Sequence, residues 1–171
     1  MSAPAAPGAL RRVLRAYARL LDHLLVLSVA LIILPVSLQI FARFTEFLPR
    51  YIWTEELSRF LLVWMVMIGA MVGVREGTHF TVDLIPGLAG RVRAAADLVA
   101  GGFVMVFGGV FLWYGIEFTD FAWFRISELA ELPLWLIHIA WPIAGASILA
   151  FEGERMWDNL GVLRGRAPAA E

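Results

Sequence analysis

The chain has 171 residues, 60% of them hydrophobic, and a mean hydropathy of +0.75. A soluble domain is usually about 45–50% apolar, so the composition excludes an ordinary soluble protein and indicates a membrane protein. A net charge of −1 gives no basis for nucleic-acid binding, and the absence of cysteine excludes disulfides, thiolate metal sites and cysteine nucleophiles.

The N-terminal part is basic and precedes the first apolar run. Residues 1–9 are small and contain proline, which predicts a disordered tail. In residues 10–23 apolar side chains recur at helical spacing and four arginines occupy another face, which predicts an amphipathic helix on the membrane surface before the chain turns inward. The long apolar run that follows favours a retained anchor over a cleaved signal peptide.

Four apolar segments follow, and each predicts a membrane-spanning helix. A helix needs roughly 20 apolar residues to cross the ~30 Å hydrocarbon core. The segments at 24–42, 95–116 and 132–151 meet that length, whereas the segment at 57–75 has only fifteen uncharged residues, 60 to 74, between two arginines whose aliphatic stems must extend outward. The expected fold class is an all-α membrane protein with four transmembrane helices, ending in a cytoplasmic tail at 153–171.

The arginines predict the orientation of the spans. Ten lie in the N-terminal segment, the second connection and the C-terminal tail, and four lie in or beside the other two connections. Arginine-rich connections stay in the cytoplasm, so both termini are predicted to be cytoplasmic, an N-in/C-in topology.

Glycines predict where the helices pack. Gly69 and Gly73 have GxxxG spacing in the second span, and Gly101, Gly108 and Gly115 form a stripe along the third. Lipid gives no apolar driving force for helix association, so such stripes mark close contacts. We expect another helix of the same bundle to fill the stripe, with a membrane partner as the alternative.

Charged residues begin the second span. Glu55, Glu56 and Arg59 lie in its first turns, where a carboxylate favours the helix dipole and Glu55 can pair with Arg59. We interpret the group as a helix cap and interface anchor, with an ion-coupling or docking site as the alternative.

A second charged group follows the same span and comprises Arg75, Glu76, His79 and Asp83. His79 and Asp83 could share a helical face like metal ligands, but two ligands are too few for a specific site. We expect this group to hold the loop 77–90 against the bundle or a partner, and we expect no metal.

Other polar positions give little sign of chemistry. Residues 117–131 mix acidic and aromatic side chains, which predicts an interfacial helix, with a surface for a soluble partner as the alternative. His138 is interpreted as neutral and bonded to a carbonyl freed by Pro142, with a proton or ion role as the alternative. The histidines are not paired for haem, and no catalytic set is present, so neither a cofactor nor enzymatic activity is expected.

One ordered set of residues extends across the second to fourth spans: Glu55, Glu56, Arg59, Trp64, Gly69, Arg75, Glu76, His79, Asp83, Pro133 and Trp135. This set resembles the signature of the DctQ-type small permease subunit of TRAP transporters (tripartite ATP-independent periplasmic transporters). The resemblance covers about residues 20–152.

The resemblance implies one part of a three-part symport system in the bacterial inner membrane. A periplasmic binding protein delivers a solute, usually a carboxylate, and a large permease subunit carries it by an elevator movement coupled to sodium. The small subunit widens the stationary scaffold of the large one, and its signature residues would serve assembly. The residues agree, because the spans lack the discontinuous helices and intramembrane charges of a carrier. The alternative function is the membrane anchor of an electron-transfer complex; an autonomous channel is disfavoured by the lack of polar residues facing a common pore.

Overall fold

The computed structural model describes residues 8–45, 51–77 and 90–164, which are helical apart from short connections and one isolated bridge. Four helices or helix pairs are long and apolar enough to cross a membrane, as the sequence predicts. The helices are α1 (Ala9–Phe44), α2 (Trp53–Glu76), α3 (Gly90–Ala122), α4 (Trp135–His138) and α5 (Ala140–Leu163). The prediction of an all-α protein with four membrane helices is confirmed.

The helices are neighbours in the order α1, α2, α5 and α3, with α4 continuing the line of α5. The start of α1 and the ends of α2 and α5 meet at one end of the bundle, which we call the basal end. The opposite end, where α2 begins and α3 ends, is the apical end. Both described chain ends lie at the basal end, which agrees with the predicted topology; that this end faces the cytoplasm stays a prediction.

α1 is longer than the sequence predicts. Its 36 residues extend about 54 Å at 1.5 Å per residue, well beyond the ~30 Å core. The helix continues without interruption through residue 24, where a turn into the membrane was expected. The physical reason is that Leu14 and Leu21 are buried in the bundle and Tyr17 stacks on Phe151 of α5, with ring centroids 5.8 Å apart. The predicted surface helix, residues 10–23, is therefore the first part of the continuous helix α1.

α5 also exceeds its predicted span. It continues to Leu163, so residues 153–163, expected to be part of a tail, are helical. The remaining predicted tail regions, residues 1–7 and 165–171, lie outside the described residues. Because α1 and α5 both extend at the basal end, their charged side chains come within reach of one another.

Close packing of α3 on α5 uses the predicted glycine stripe. A Cβ added at Gly108 would lie 2.9 Å from Ile148, and one at Gly115 would lie 2.7 Å from the nitrogen of Pro142. Gly145 of α5 approaches α3 so closely that a Cβ there would overlap its backbone, 2.8 Å from the carbonyl oxygen of Gly108. The stripe is therefore filled by a helix of the same bundle, as expected.

The line of α4 and α5 is irregular at Ile139, three residues before Pro142. Proline has no N–H to donate, which weakens the helix one turn earlier. Backbone bonds still cross the irregularity, from Ile139 to the carbonyl oxygen of Trp135 (2.9 Å) and from Ile143 to that of Ile139 (3.3 Å). One local irregularity therefore accompanies Pro142, and the chain stays hydrogen-bonded across it.

The hydrogen bond of His138 also differs from the expected one. Its Nδ1 lies 2.7 Å from the carbonyl oxygen of Leu134, one turn earlier, to which it donates. The carbonyl freed by Pro142 is that of His138 itself, which its own ring does not bind. Phe118 of α3 lies edge-on to the imidazole, with ring centroids 4.6 Å apart.

We predict that Gly145→Ala destabilises the bundle by about 2 kcal/mol, because the added methyl group overlaps the α3 backbone. Unfolding of the purified chain in mixed micelles, followed by circular dichroism, measures this change. The matched control is Gly109→Ala, where a Cβ meets nothing within 4 Å, and its effect should stay within about 1 kcal/mol. Equal effects of the two substitutions would contradict the packing argument.

Candidate assembly sites at the two ends of the bundle

An ion network joins three helices at the basal end. Glu154 of α5 lies 3.2 Å from Nη1 of Arg75 at the end of α2 and 3.7 Å from Nε of Arg11 in the first turns of α1. Arg11 also pairs with Asp158, one turn further along α5. The Glu154 side chain is only 14% exposed, so salt screens these pairs less than it screens pairs on an open surface. The network fixes the relative positions of α1, α2 and α5.

Arg155 of α5 caps the C-terminus of α2. Its Nη2 donates to the carbonyl oxygens of Val74 (2.9 Å) and Arg75 (3.2 Å), and its Nη1 donates to Glu152 (3.3 Å). The last carbonyls of a helix have no partner within the helix, so a neighbouring guanidinium is a suitable donor. Gly77 ends α2 in the left-handed conformation, with φ of 71°, and a side chain there would also collide with Arg155.

Glu152 is a buried carboxylate beside the glycine stripe. It is 2% exposed and faces Gly101 of α3, where a Cβ would overlap the carboxylate. The missing side chain of Gly101 therefore makes room for Glu152, which in turn orients Arg155 towards α2. A buried charge without a partner is costly, so each group of the Glu152–Arg155 pair depends on the other.

Tyr17 provides an uncharged link between α1 and α5. Its hydroxyl lies 2.7 Å from Oγ of Ser147, and Ser147 donates to the carbonyl oxygen of Ile143. Since the only hydroxyl proton of Ser147 is thus used, Tyr17 donates to Ser147. This bond joins the helices one or two turns inside the ion network.

At the apical end, Glu56 holds the connection between α3 and α4. Its Oε2 accepts hydrogen bonds from the backbone N–H groups of Leu129 (3.0 Å) and Ala130 (2.7 Å). Hydrogen bonds to a charged acceptor are stronger than neutral ones. The first turn of α2 therefore anchors a segment more than seventy residues away in the chain.

That connection, residues 123–134, is a compact turn rather than the expected interfacial helix. α3 continues to Ala122, and the chain then reverses, with an antiparallel bridge between Ile126 and Pro133. The N–H of Ser127 donates to the carbonyl oxygen of Leu132 (2.8 Å). In return, the N–H of Leu132 donates to the hydroxyl oxygen of Ser127 (3.2 Å). Because these bonds satisfy backbone groups within the turn, no helix is needed there.

Two uncharged side chains complete the apical contacts. Nε1 of Trp64 donates to the carbonyl oxygen of Leu136, 2.9 Å away, which joins α2 to α4. Gln39 donates to the carbonyl oxygen of Thr54 (2.8 Å) and to Oγ of Ser58 (2.7 Å), which joins α1 to α2. Side chains that bridge helices therefore stabilise both the basal and the apical end of the bundle.

A family model described as "Tripartite ATP-independent periplasmic transporters, DctQ component" matches residues 32–161, about three quarters of the chain. The chain belongs to the DctQ family. It is also 35% identical over 103 residues to a protein of Rhodobacter capsulatus named "C4-dicarboxylate TRAP transporter small permease protein DctQ". The match covers 58% of this chain and 45% of that relative, so the chain spans less than half of the relative's length. Membership confirms the resemblance and favours a component of a transporter over the anchor of an electron-transfer complex.

Part of the DctQ-like residue set makes contacts between helices. Glu56, Trp64 and Arg75 make the bonds described above. Trp135 stacks on Trp123 across the apical turn, with ring centroids 5.4 Å apart. Pro133 pairs with Ile126 in the bridge of that turn. Gly69 faces Leu25 of α1, and a Cβ added at Gly69 would fit there, 3.8 Å from Leu25.

The other members of the set are not brought together. Glu55, Arg59 and Glu76 are exposed, and the structure shows no ion pair within 4 Å between the described residues Glu55 and Arg59, contrary to the expected pairing. His79 and Asp83 lie outside the described residues. Their expected role in holding the loop 77–90 stays a prediction.

Sequence reasoning missed the α5 half of the basal network. Glu152, Glu154, Arg155 and Asp158 were assigned to the span edge and a tail, because hydropathy falls after residue 151. A usable signal was present, since Met156, Leu160 and Leu163 continue the helical spacing of apolar residues.

We predict that Arg155→Gln destabilises the chain by about 2 kcal/mol, because it uncaps α2 and leaves Glu152 buried without its partner. The double variant Glu152→Gln/Arg155→Gln should recover part of this loss in the same unfolding assay. The exposed Arg164→Gln is the control and should have almost no effect. A double variant that loses the sum of both single effects would contradict coupling of the two residues.

We also predict that Glu56→Gln loosens the apical turn while Glu55→Gln does not. Amide hydrogen exchange at Leu129 and Ala130 should accelerate severalfold in the first variant, because the amide that replaces the carboxylate is a weaker acceptor. Exchange within α5 serves as the internal reference. Unchanged exchange at both amides would show that Glu56 does not hold the turn.

Proposed function

We propose that this chain is the small permease subunit of a TRAP transporter and braces the large permease subunit during sodium-coupled uptake of a carboxylate-type solute. The observation that supports this most strongly is the DctQ family match over residues 32–161. The similar protein of Rhodobacter capsulatus has C4-dicarboxylate in its name, which supports a carboxylate as the solute class.

The contacts within the chain support a bracing role. A brace has to keep its shape while its partner moves, and here side chains join the helices at both ends, through Glu154 and Arg155 at the basal end and Glu56 at the apical end. The α3–α5 contact adds close backbone packing along the length of these helices. The described helices thus resist sliding and rotation relative to one another.

The outward faces supply area for a membrane partner. α3 exposes large apolar side chains along its outer side, including Phe103 (73% exposed), Val106 and Trp113. α1 exposes a second apolar face, including Val26 and Leu34. In this proposal the large subunit covers part of this surface and lipid covers the rest.

We further propose that both termini are cytoplasmic, which is the orientation that the arginine distribution favours. The apical end then faces the periplasm. A solute-loaded binding protein would approach there, where exposed Arg125 and Glu128 border an open groove of about 550 Å³. This contact would be transient, since the groove is open and its charges are solvated.

The proposal predicts that uptake needs this chain and that Arg59→Ala weakens assembly more than solute affinity. In proteoliposomes containing the large subunit, the binding protein and a sodium gradient, omission of this chain should abolish uptake. With Arg59→Ala, the amount of large subunit that co-purifies should fall severalfold, because an exposed charge at the apical end is lost, whereas the solute concentration for half-maximal uptake should change less than about twofold.

Arg93→Ala, an exposed arginine near the basal end of α3, is the matched control and should leave co-purification unchanged. Full uptake by the large subunit alone would overturn the bracing role. A complex that stays intact with Arg59→Ala while its apparent solute affinity falls would place Arg59 in solute handling instead of assembly.

A further inference from the structure

Three exposed arginines form a stripe on the basal part of α1. Arg12, Arg15 and Arg19 are spaced three and four residues apart, so they lie on one face of the helix, which we call the basic stripe. Residues 9–31 of α1 precede the part of the chain that the DctQ family model matches. The family assignment therefore gives no role to the basic stripe.

The bundle itself does not use the basic stripe. Arg11 is turned inward and pairs with α5, whereas the stripe points outward and has no carboxylate within 4 Å among residues 8–45, 51–77 and 90–164. Its only polar side-chain contact in those ranges is from Nε of Arg15 to the carbonyl oxygen of Arg11, at 3.3 Å. One acidic residue, Asp22, lies on the same face one turn further along α1, so the three arginines and this aspartate give the face a net charge of +2.

An exposed apolar strip lies beside the basic stripe on the same helix. Val13, Leu20, Leu24 and Leu27 are 63%, 53%, 38% and 51% exposed, and large exposed apolar side chains continue to the apical end of α1. From Leu20 to Phe44 the helix rises about 36 Å, enough to cross the ~30 Å hydrocarbon core. One side of α1 thus presents cationic groups at one end and a long apolar surface after them.

Arg19 lies at the outer edge of the lipid headgroups, and Arg15 lies about 6 Å further out, within a Debye length of them. If hydrocarbon begins at Leu24, where the uncharged run begins, the backbone of Arg19 lies about 7.5 Å outside it. The headgroup layer is about 5–7.5 Å thick on each side of a bilayer. Helical side chains tilt towards the N-terminus, which here keeps the guanidinium groups out of the hydrocarbon.

We infer that Arg19, with Arg15 and Arg12 adding electrostatic attraction from further out, binds the phosphate of an anionic phospholipid whose chains lie along α1. Guanidinium groups match phosphate oxygens in geometry and charge, and the adjoining apolar strip selects a lipid over a soluble anion. Headgroups carrying a net negative charge are favoured over zwitterionic ones, in which a choline cation is repelled by the stripe. This inference does not depend on the proposed transport function.

The test is native mass spectrometry of the full-length chain released from nanodiscs that contain equal amounts of phosphatidylglycerol and phosphatidylcholine. Wild type should retain phosphatidylglycerol in preference to phosphatidylcholine. Arg15→Gln/Arg19→Gln should lower this preference by about fivefold or more, the change expected for each arginine near an anionic headgroup. Asp22→Asn should raise it, because it removes the one negative charge from the stripe.

The matched control is Arg43→Gln/Arg125→Gln, which removes two exposed arginines at the apical end and should leave the preference for phosphatidylglycerol unchanged. Circular dichroism checks that helix content is retained in every variant. If a stripe variant misfolds, raising sodium chloride from 0.1 M to 1 M on the wild type must itself reduce the preference severalfold.

Three outcomes would overturn the inference. An unchanged preference in Arg15→Gln/Arg19→Gln would show that the stripe does not bind lipid. An equal loss in the apical control would show that only net charge matters. Displacement of phosphatidylglycerol by millimolar glycerol phosphate would show a site for a soluble anion, and not for a lipid.

Discussion

The close contact between α3 and α5 is the interaction on which the rest of the bundle depends. Lipid tails are as apolar as the side chains they touch, so burial alone does not hold membrane helices together. Gly108, Gly115 and Gly145 instead let two backbones approach until they touch. The same approach brings Gly101 next to Glu152, whose carboxylate then orients Arg155 towards the end of α2. Packing of one helix pair thereby positions the polar groups that attach the other two helices.

Position along the bilayer normal explains why the strongest polar contacts lie near the ends. An unsatisfied polar group in hydrocarbon is costly, so charged pairs are placed where water and headgroups begin. Glu154 and Arg155 act at the basal end and Glu56 at the apical end. Between them the described helices are joined mainly by small residues and by uncharged bonds such as that of Tyr17 to Ser147. The resulting bundle is fixed at both ends and tightly packed between them, which suits the proposed bracing role.

The sequence predicts the helices better than it predicts their ends. Run length and glycine spacing are local properties of one segment, so the four spans and the packing stripe follow directly from them. Helix ends were placed where hydropathy falls, but α1 and α5 continue past those positions because their charged residues find partners on other helices. Arg11 and Asp158 are 147 residues apart in the chain, and Arg75 and Glu154 are 79 apart. No pattern within one segment reveals such pairs, and the bonds of Glu56 to Leu129 and Ala130 are likewise hidden from the sequence because those residues lie in a distant turn.

The residue set that resembles the DctQ signature divides by exposure, and this division bears on function. Glu56, Trp64 and Arg75 bond to other parts of the bundle, so replacing them should alter the bundle itself. Glu55, Arg59 and Glu76 are exposed and form no salt bridge with any residue of 8–45, 51–77 or 90–164, which leaves their side chains accessible to a partner. Effects of the two groups should therefore be compared separately in assembly assays.

Neighbouring arginines of α1 show how one helix can serve both the bundle and its surroundings. A step of one residue rotates a side chain by 100° around the helix axis. Arg11 consequently pairs with α5, while Arg12 faces outward with Arg15 and Arg19. The inward arginine locks α1 to the other helices, and the outward ones resist both entry into hydrocarbon and withdrawal from the anionic headgroups. Because α1 is rigidly attached, a force that fixes the depth of this single helix fixes the depth of the whole bundle. The proposed bracing role needs that property, since a brace free to move along the bilayer normal would follow its partner and oppose nothing.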